Sequence, residues 1–201
     1  RFGVTQALDD VSVSFMPGEV HALMGENGAG KSTLGKVIAG LHRQDSGTVS
    51  IEGHALRPGS LDDAYSRGVR IVHQELAQCP NLSVAENLCL HDLPVGAFGL
   101  VDRRAMNDRA ARLVHMIEPG VDVTRPLGSL SPGWRQICQI AAALEDRSGG
   151  NGHSGAATGR PRVIVFDEPT SSLSIAEVER LLRIVRDLAS RGLTVIYVSH
   201  R

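Results

Sequence analysis

The residues Gly25-Glu26-Asn27-Gly28-Ala29-Gly30-Lys31-Ser32-Thr33 place a glycine, four residues, then Gly-Lys-Ser directly after the apolar run Val20 to Met24. Glycines in such a loop allow positive φ and close backbone approach, so successive amide N–H groups can converge on a phosphate. The helix that follows adds the positive end of its dipole. In this pattern Lys31 reaches the β- and γ-phosphates and the Ser32 hydroxyl holds Mg²⁺. A polyphosphate nucleotide is the ligand this chemistry suits. A second acidic element lies far downstream, where Val163 to Phe166 runs apolar and ends in Asp167-Glu168. A carboxylate at the end of a buried strand is suited to Mg²⁺, which assigns Asp167 to the metal. Glu168 then stands as general base, orienting and polarising an attacking water, because phosphoryl transfer depends mainly on positioning and charge stabilisation. His200, after a last apolar strand, is placed to hydrogen-bond a γ-phosphate.

These residues need elements to hold them. Residues 7 to 15 alternate, with Val11, Val13 and Phe15 on one face, and Pro17-Gly18 then turns into Val20 to Met24; this predicts a half-buried strand and a hairpin turn. Thr48 to Ile51 reads as another strand, and residues 31 to 41 as the helix after the phosphate loop. Residues from about 75 to 145 read as mostly helical. Ser83 with Glu86 forms a capping box, Asp102 opens a segment carrying Met106, Leu113, Val114 and Ile117 at helical spacing, and Ser131-Pro132 starts a helix lined by Ile137, Ile140, Ala141 and Leu144. From 147 to 161 the chain turns to Gly, Ser, Ala and His, which predicts a flexible loop. Val163 to Phe166 reads as a central parallel strand buried on both faces. Ser174 with Glu177 caps an amphipathic helix through Ile175, Val178, Leu181, Leu182, Val185 and Leu188, ending at Gly192, and Thr194 to Val198 is a further buried strand. Strand, helix and strand in that order imply a right-handed parallel crossover that brings Asp167 and His200 to the carboxyl edge beside the phosphate loop.

The 201 residues are 42% apolar with a formal net charge of −1, an ordinary globular composition that excludes disordered and collagen-like classes. No run approaches the ~18 apolar residues that span a bilayer, and the N-terminus lacks the charged-then-apolar plan of a signal peptide. Lys and Arg are dispersed, so no electrostatic footprint for nucleic acid is visible. Cys79, Cys89 and Cys138 show no metal or disulfide spacing and read as buried thiols of a reducing compartment. The chain starts at Arg1 and stops just after an apolar strand, so both ends read as cut from something larger.

With these motifs in order, the chain resembles the ATP-binding cassette ATPases over nearly its whole length. Gly25 to Thr33 is similar to Walker A, Gln74 to the Q-loop, Leu130-Ser131-Pro132-Gly133 to the signature, Val163 to Glu168 to Walker B, Ser171 to Ser174 to the D-loop, and His200 to the switch histidine. The wording of Val20 to Asn27, Val72 to Leu76, Asn81 to Asn87 and Val195 to Arg201 resembles the first cassette of tandem ATP-binding proteins in bacterial monosaccharide importers of the ribose, xylose, arabinose and galactose type. The resemblance implies an α/β fold, a P-loop NTPase cassette with an N-terminal antiparallel β portion, a parallel-sheet core and an inserted helical subdomain. It implies one C-terminally truncated nucleotide-binding domain, with an α/β core at 1–74 and 160–201, a helical subdomain at about 75–146 and the flexible insertion at 147–161.

The resemblance also implies ATP and Mg²⁺ as cofactors. Phe2 stacks on adenine, Gly25, Glu26, Asn27, Gly28, Ala29, Gly30, Lys31, Ser32 and Thr33 surround the phosphates, and Ser32, Gln74 and Asp167 serve the metal. Lys31, Gln74, Glu168 and His200 carry the catalytic roles. Two cassettes sandwich the nucleotide, so Ser131 and Gly133 serve the site of a partner cassette, fused or separate. Gln74 links the γ-phosphate to the helical subdomain that contacts transmembrane permease subunits. A periplasmic or extracellular sugar-binding protein acts indirectly, nucleic acid has no part, and the cassette sits on the cytoplasmic face of the cell membrane.

The chain departs from the family pattern in three places. Trp134 follows Gly133 where the family usually has Gln, the 147–161 insertion is longer than the usual link into Walker B, and the sequence stops at Arg201 where the family continues with more strand and helix. Trp134 and the insertion keep open an alternative in which the chain is a nucleotide-binding interaction module with weak or no turnover. A soluble cassette acting on ribosomes or DNA would need a basic face or added arms, and neither is visible.

Overall fold

The computed structural model describes residues 2–73, 78–96, 99–145, 159–170 and 173–199. Four short strands make the central sheet: β1 (Val20–Leu23), β4 (Val69–Val72), β5 (Val163–Asp167) and β6 (Thr194–Val198). They lie in the order β1-β6-β5-β4, every neighbouring pair parallel. Every residue of β5 and of β6 is buried, as their unbroken apolar runs require of strands covered on both faces.

Side chains alternate between two layers because successive residues of a strand point to opposite faces. Val163, Val165 and Ile196 join a core with Ile38 of α1 (Lys31–Ile38), Ala39 just after it, and Ala64 of α2 (Leu61–Ser66). Ile164, Phe166, Val195 and Tyr197 face the other way, into a larger core. That core takes in α3 (Val84–Cys89), α4 (Arg103–His115), α5 (Pro132–Leu144) and α6 (Ile175–Ser190). The helices of the 84–144 region therefore share one continuous apolar cluster with the sheet. On α6, Leu181, Val185 and Leu188 are buried, each contributing about 2 kcal/mol by leaving water. Ile175, expected on that face, is 82% exposed because it opens the helix beyond the edge of the core.

Both predicted capping boxes are complete, Ser83 with Glu86 before α3 and Ser174 with Glu177 before α6, and Asp102 caps α4 by accepting from the Ala105 amide. Elsewhere the structure corrects the reading. Residues 7–15 form no strand: Val11 and Val13 stay about half exposed, and Phe15 alone of the three packs on the smaller core. Alternation marks an amphipathic stretch, but a strand also needs a ladder partner, and among the described residues β1 pairs only with β6. The antiparallel portion among the described residues is β2 (Ser50–Ile51) with β3 (His54–Ala55), together with isolated bridges such as Phe2 to Thr5. Helix α1 ends at Ile38 rather than 41, where Ala39 caps it and Gly40 turns to φ 73°. Cys89 and Cys138 are buried, and burial pushes the Cys138 thiol up to about 12, but Cys79 is exposed. Residues 147–158 of the expected loop lie outside the described residues. Its last part is anchored: the Gly159 carbonyl accepts from the buried Arg70 guanidinium at 2.7 Å, and Pro161 is buried.

Candidate phosphate-binding site

Leu23, Val198 and Asp167 stand in one register row across β1, β6 and β5. At the usual strand spacing this sets the start of the phosphate loop about 10 Å from the acidic strand end. The chain leaves β1 into Gly25–Gly30 and enters α1 at Lys31. Helix α1 lies close on β5, since a Cβ on Gly35 would stand 3.1 Å from a Val165 methyl.

Gly30 caps α1 in the left-handed region, φ 86°, with no side chain taking the first-turn amides. The first intrahelical bond in this turn is Leu34 N–H to the Gly30 carbonyl at 2.9 Å. The amides of Lys31, Ser32 and Thr33 thus have no acceptor within the helix, which makes the loop mouth an anion site. The Lys31 ammonium bends back over the loop and donates to the Gly25 and Glu26 carbonyls, each at 2.8 Å. Residues 25–29 are exposed, and Lys31, Ser32 and Thr33 are half-buried. A second glycine, Gly28, has φ 84° with open space around it.

Asp167 ends β5 and is 7% exposed; Glu168 follows, half-buried. Glu168 has φ 49°, a left-handed conformation that side-chain-bearing residues rarely adopt. Its amide donates to the Val198 carbonyl at 3.1 Å, and the Ser199 amide donates to the Leu23 carbonyl at 3.1 Å. These bonds tie the ends of β5 and β1 to β6, which lies between them, so the strand end that bears Asp167 and Glu168 stands one strand away from the strand that feeds the loop.

Phe2 is 52% exposed and meets His42 edge to face at 5.3 Å. A cavity of about 1060 Å³ is bordered by Phe2 and Thr33, but not by Lys31, Ser32, Asp167 or Glu168. It lies between residues 7–15 and α1, where the expected strand is missing, so the candidate phosphate site is the exposed loop mouth rather than this cavity. Gln74, Ser171, Ser172 and His200 lie outside the described residues.

Ser131 and Gly133 stand at the start of α5. Ser131 is the N-cap residue, yet its hydroxyl does not cap α5. It donates to Oε1 of Glu177 at 2.7 Å, and the Gly133 amide donates to the same oxygen at 3.0 Å. Oε2 accepts from the Ser174 amide at 3.0 Å and its hydroxyl at 2.9 Å. The Ser131 hydroxyl, followed by the Ser174 and Gly133 donors, draws the Glu177 carboxyl down to about 2. Sequence reasoning reaches Glu177 only as a partner of Ser174; the link to residues 131–133 is missed, because nothing local signals a contact 44 to 46 residues away. Trp134 is half-buried, packs on the larger core and has the Arg180 guanidinium 4.6 Å from its ring centroid.

A family model described as ABC transporter matches residues 8–149. The chain belongs to the ABC transporter family. Its curated relatives include the Arabinose import ATP-binding protein AraG of Pseudomonas syringae pv. tomato, 44% identical over 200 residues, covering 100% of this chain and 37% of the relative. The Arabinose import ATP-binding protein AraG 2 of Burkholderia thailandensis is 46% identical over 200 residues, covering 100% of this chain and 35% of the relative. The Ribose import ATP-binding protein RbsA 2 of Mesorhizobium japonicum is 43% identical over 204 residues, covering 100% and 38%. This ABC family chain thus spans little more than a third of the length of these relatives. Among solved structures, a nucleotide-free ATP-binding cassette from an ABC transporter superposes with a TM-score of 0.82 at 25% identity, covering 100% of this chain and 78% of that one. A dimeric cassette in a post-hydrolysis state, bound to ADP and Pi, superposes with a TM-score of 0.71 at 26% identity, covering 97% and 80%. The fold of this chain is the α/β P-loop cassette fold.

Proposed function

We propose that the chain is the ATP-binding and ATP-hydrolysing cassette of a bacterial importer of monosaccharides. The observation that carries this reading is the row Leu23, Val198, Asp167, which sets a phosphate loop with unsatisfied helix amides beside an acidic strand end. In this reading the loop residues Gly25 to Thr33 bind the phosphates, and Lys31 exchanges the Gly25 and Glu26 carbonyls for phosphate oxygens. The Ser32 hydroxyl and Asp167 carboxylate are hard oxygen donors that fit Mg²⁺, which would neutralise phosphate charge when bound. Glu168 orients and polarises the water, with Gln74 and His200 at the γ-phosphate and Phe2 on the adenine. Ser131 and Gly133 serve the nucleotide of a second cassette.

The arabinose import and ribose import relatives support a monosaccharide as cargo. The dimeric neighbour supports pairing of cassettes. Import requires permease subunits and, outside the membrane, a sugar-binding protein. As the ATP-binding subunit of an importer the chain is read as peripheral, on the cytoplasmic face; among the described residues no helix is long and apolar enough to cross a membrane.

The test is ATP turnover of the full-length protein with its permease, compared with Glu168→Gln and Trp134→Gln. Trp134 folds onto Arg180 of its own cassette, so turnover is expected to vanish in the first variant and to change little in the second. No turnover in the parent, restored by Trp134→Gln, would replace this reading with a nucleotide-binding module silenced at its signature.

A further inference from the structure

Glu177 sits on the two groups that the proposed function gives to a second cassette's nucleotide. We propose that its carboxylate is a resident anion on the phosphate donors of residues 131–133, and that closure of the cassette pair requires exchange of this carboxylate for the partner's γ-phosphate. The inference rests on the reading of Ser131 and Gly133 given above.

The argument is one of donor capacity. A serine hydroxyl has one hydrogen to donate and a backbone amide has one. Both are directed at Glu177 Oε1, at 2.7 and 3.0 Å. While that contact stands, neither can be donated in full to a phosphate oxygen. The carboxylate also fills the space over Gly133, where a Cβ would lie 2.6 Å from Oε1. A phosphate approaching the same donors meets a like charge and occupied volume, and both disfavour binding until the carboxylate withdraws.

Withdrawal is feasible because the two oxygens have separate duties. Oε2 keeps the Ser174 amide and hydroxyl, and a small pivot of the carboxylate about Oε2, made by combined side-chain torsions, lifts Oε1 from its donors. The contact therefore sets how much ATP is needed to close the pair. It also ties the signature loop to the helix that follows the chain's own Asp167 and Glu168, so exchange at one nucleotide is felt on the segment serving the other.

The experiment uses the full-length protein with its permease, carrying Glu168→Gln so that closed cassettes accumulate. Closure is followed by fluorescence transfer between labels on the two cassettes as MgATP is raised. With Glu177→Gln, which removes the charge, the half-closing ATP concentration is expected to fall about tenfold, the worth of one charge-assisted hydrogen bond. Glu177→Ala is expected to lower it as well. Ser174→Ala weakens the cap but leaves the Ser131 and Gly133 bonds, so it is expected to leave the half-point in place. ATP-dependent closure in the parent, with an unchanged or raised half-point in both Glu177 variants, overturns the exchange and makes Glu177 a brace. A fall in Ser174→Ala equal to that in Glu177→Gln also overturns it, since loosening α6 would then suffice. Absence of ATP-dependent closure in the parent overturns the underlying reading and the exchange together.

Discussion

The Glu168 amide donates to the carbonyl of Val198 at 3.1 Å, and this bond holds Glu168 at φ 49° directly beyond the end of β5. Left-handed backbone at a residue with a side chain costs about 1 to 3 kcal/mol and persists where its surroundings impose it. Here the neighbouring strand imposes it, aiming the acidic pair at the edge from which the phosphate loop leaves.

The strained backbone at Glu168, the proposed general base, separates function from stability. Glu168→Gln is expected to lower the rate of ATP hydrolysis by about 10²- to 10⁴-fold while nucleotide binding persists, checked by steady-state turnover and equilibrium binding. Both Glu168→Ala and Glu168→Gly remove the carboxylate, but only glycine adopts φ 49° without a Cβ conflict. The glycine variant is therefore expected to be more stable than the alanine variant by about 1 kcal/mol, read from denaturant unfolding.

Gly30 and Gly28 have nearly the same φ, 86° and 84°, in different surroundings. A Cβ on Gly30 would run into the Ala7 carbonyl and a Leu8 methyl, whereas one on Gly28 meets nothing within 4 Å. Gly28→Ala is expected to cost about 1 kcal/mol of conformational strain. Gly30→Ala adds the collision, and either the loop or residues 7–8 must shift. Thermal unfolding and ATP binding compared side by side should show the larger loss in Gly30→Ala for both.

Much of this was open to reading because the signals are local. The run Val163 to Phe166 needs no partner to be recognised as a doubly covered strand, and Ser174 with Glu177 marks the start of α6 within four residues. The same strand end locates Asp167 and Glu168. Residues 7–15 mislead for the opposite reason: their alternation specifies a face, while strand formation depends on an edge elsewhere in the chain. Arg70 is 2% exposed inside β4, a placement propensity argues against. It survives there because its guanidinium donates to the Tyr65, Val69 and Gly159 carbonyls and lies 3.4 Å over the Tyr65 ring. The Ser131 to Glu177 bond is equally non-local, and a complete capping box gives Glu177 a sufficient local explanation that conceals the second one.

Arg109 of α4 crosses to Glu145, the residue closing α5, at 2.6 Å, and also reaches Asp92 at 3.0 Å. Burial works against the Arg109 charge, but the hydrogen bonds and charge of Glu145, with Asp92, outweigh it and move its pKa upward. The Glu145 side chain is 6% exposed, so removing it leaves a largely dry guanidinium with one partner. Glu145→Ala is expected to destabilise by about 2 to 3 kcal/mol. Asp92→Ala, at a 41% exposed partner, should cost about 1 kcal/mol or less, and denaturant midpoints of the two variants check the order.

The Glu177 carboxyl is drawn down to about 2 from an ordinary value of 4.5, chiefly by the Ser131 hydroxyl and then by the Ser174 amide. A carboxyl depressed in the folded protein stabilises it fully above its unfolded pKa, and that contribution fades as pH falls toward the folded value. The stability difference between the parent and Glu177→Gln should therefore hold constant from neutral pH to about 4.5 and then shrink toward pH 2. In the parent, the carbon-13 resonance of the Glu177 side-chain carboxyl should still report a mostly ionised group at about pH 3, and Ser131→Ala should move its midpoint upward. A midpoint near 4.5 in the parent would mean that the carboxylate spends little time on the Ser131 and Gly133 donors. An unchanged midpoint in Ser131→Ala would place the depression in the α6 cap and the Gly133 amide rather than in the Ser131 hydroxyl.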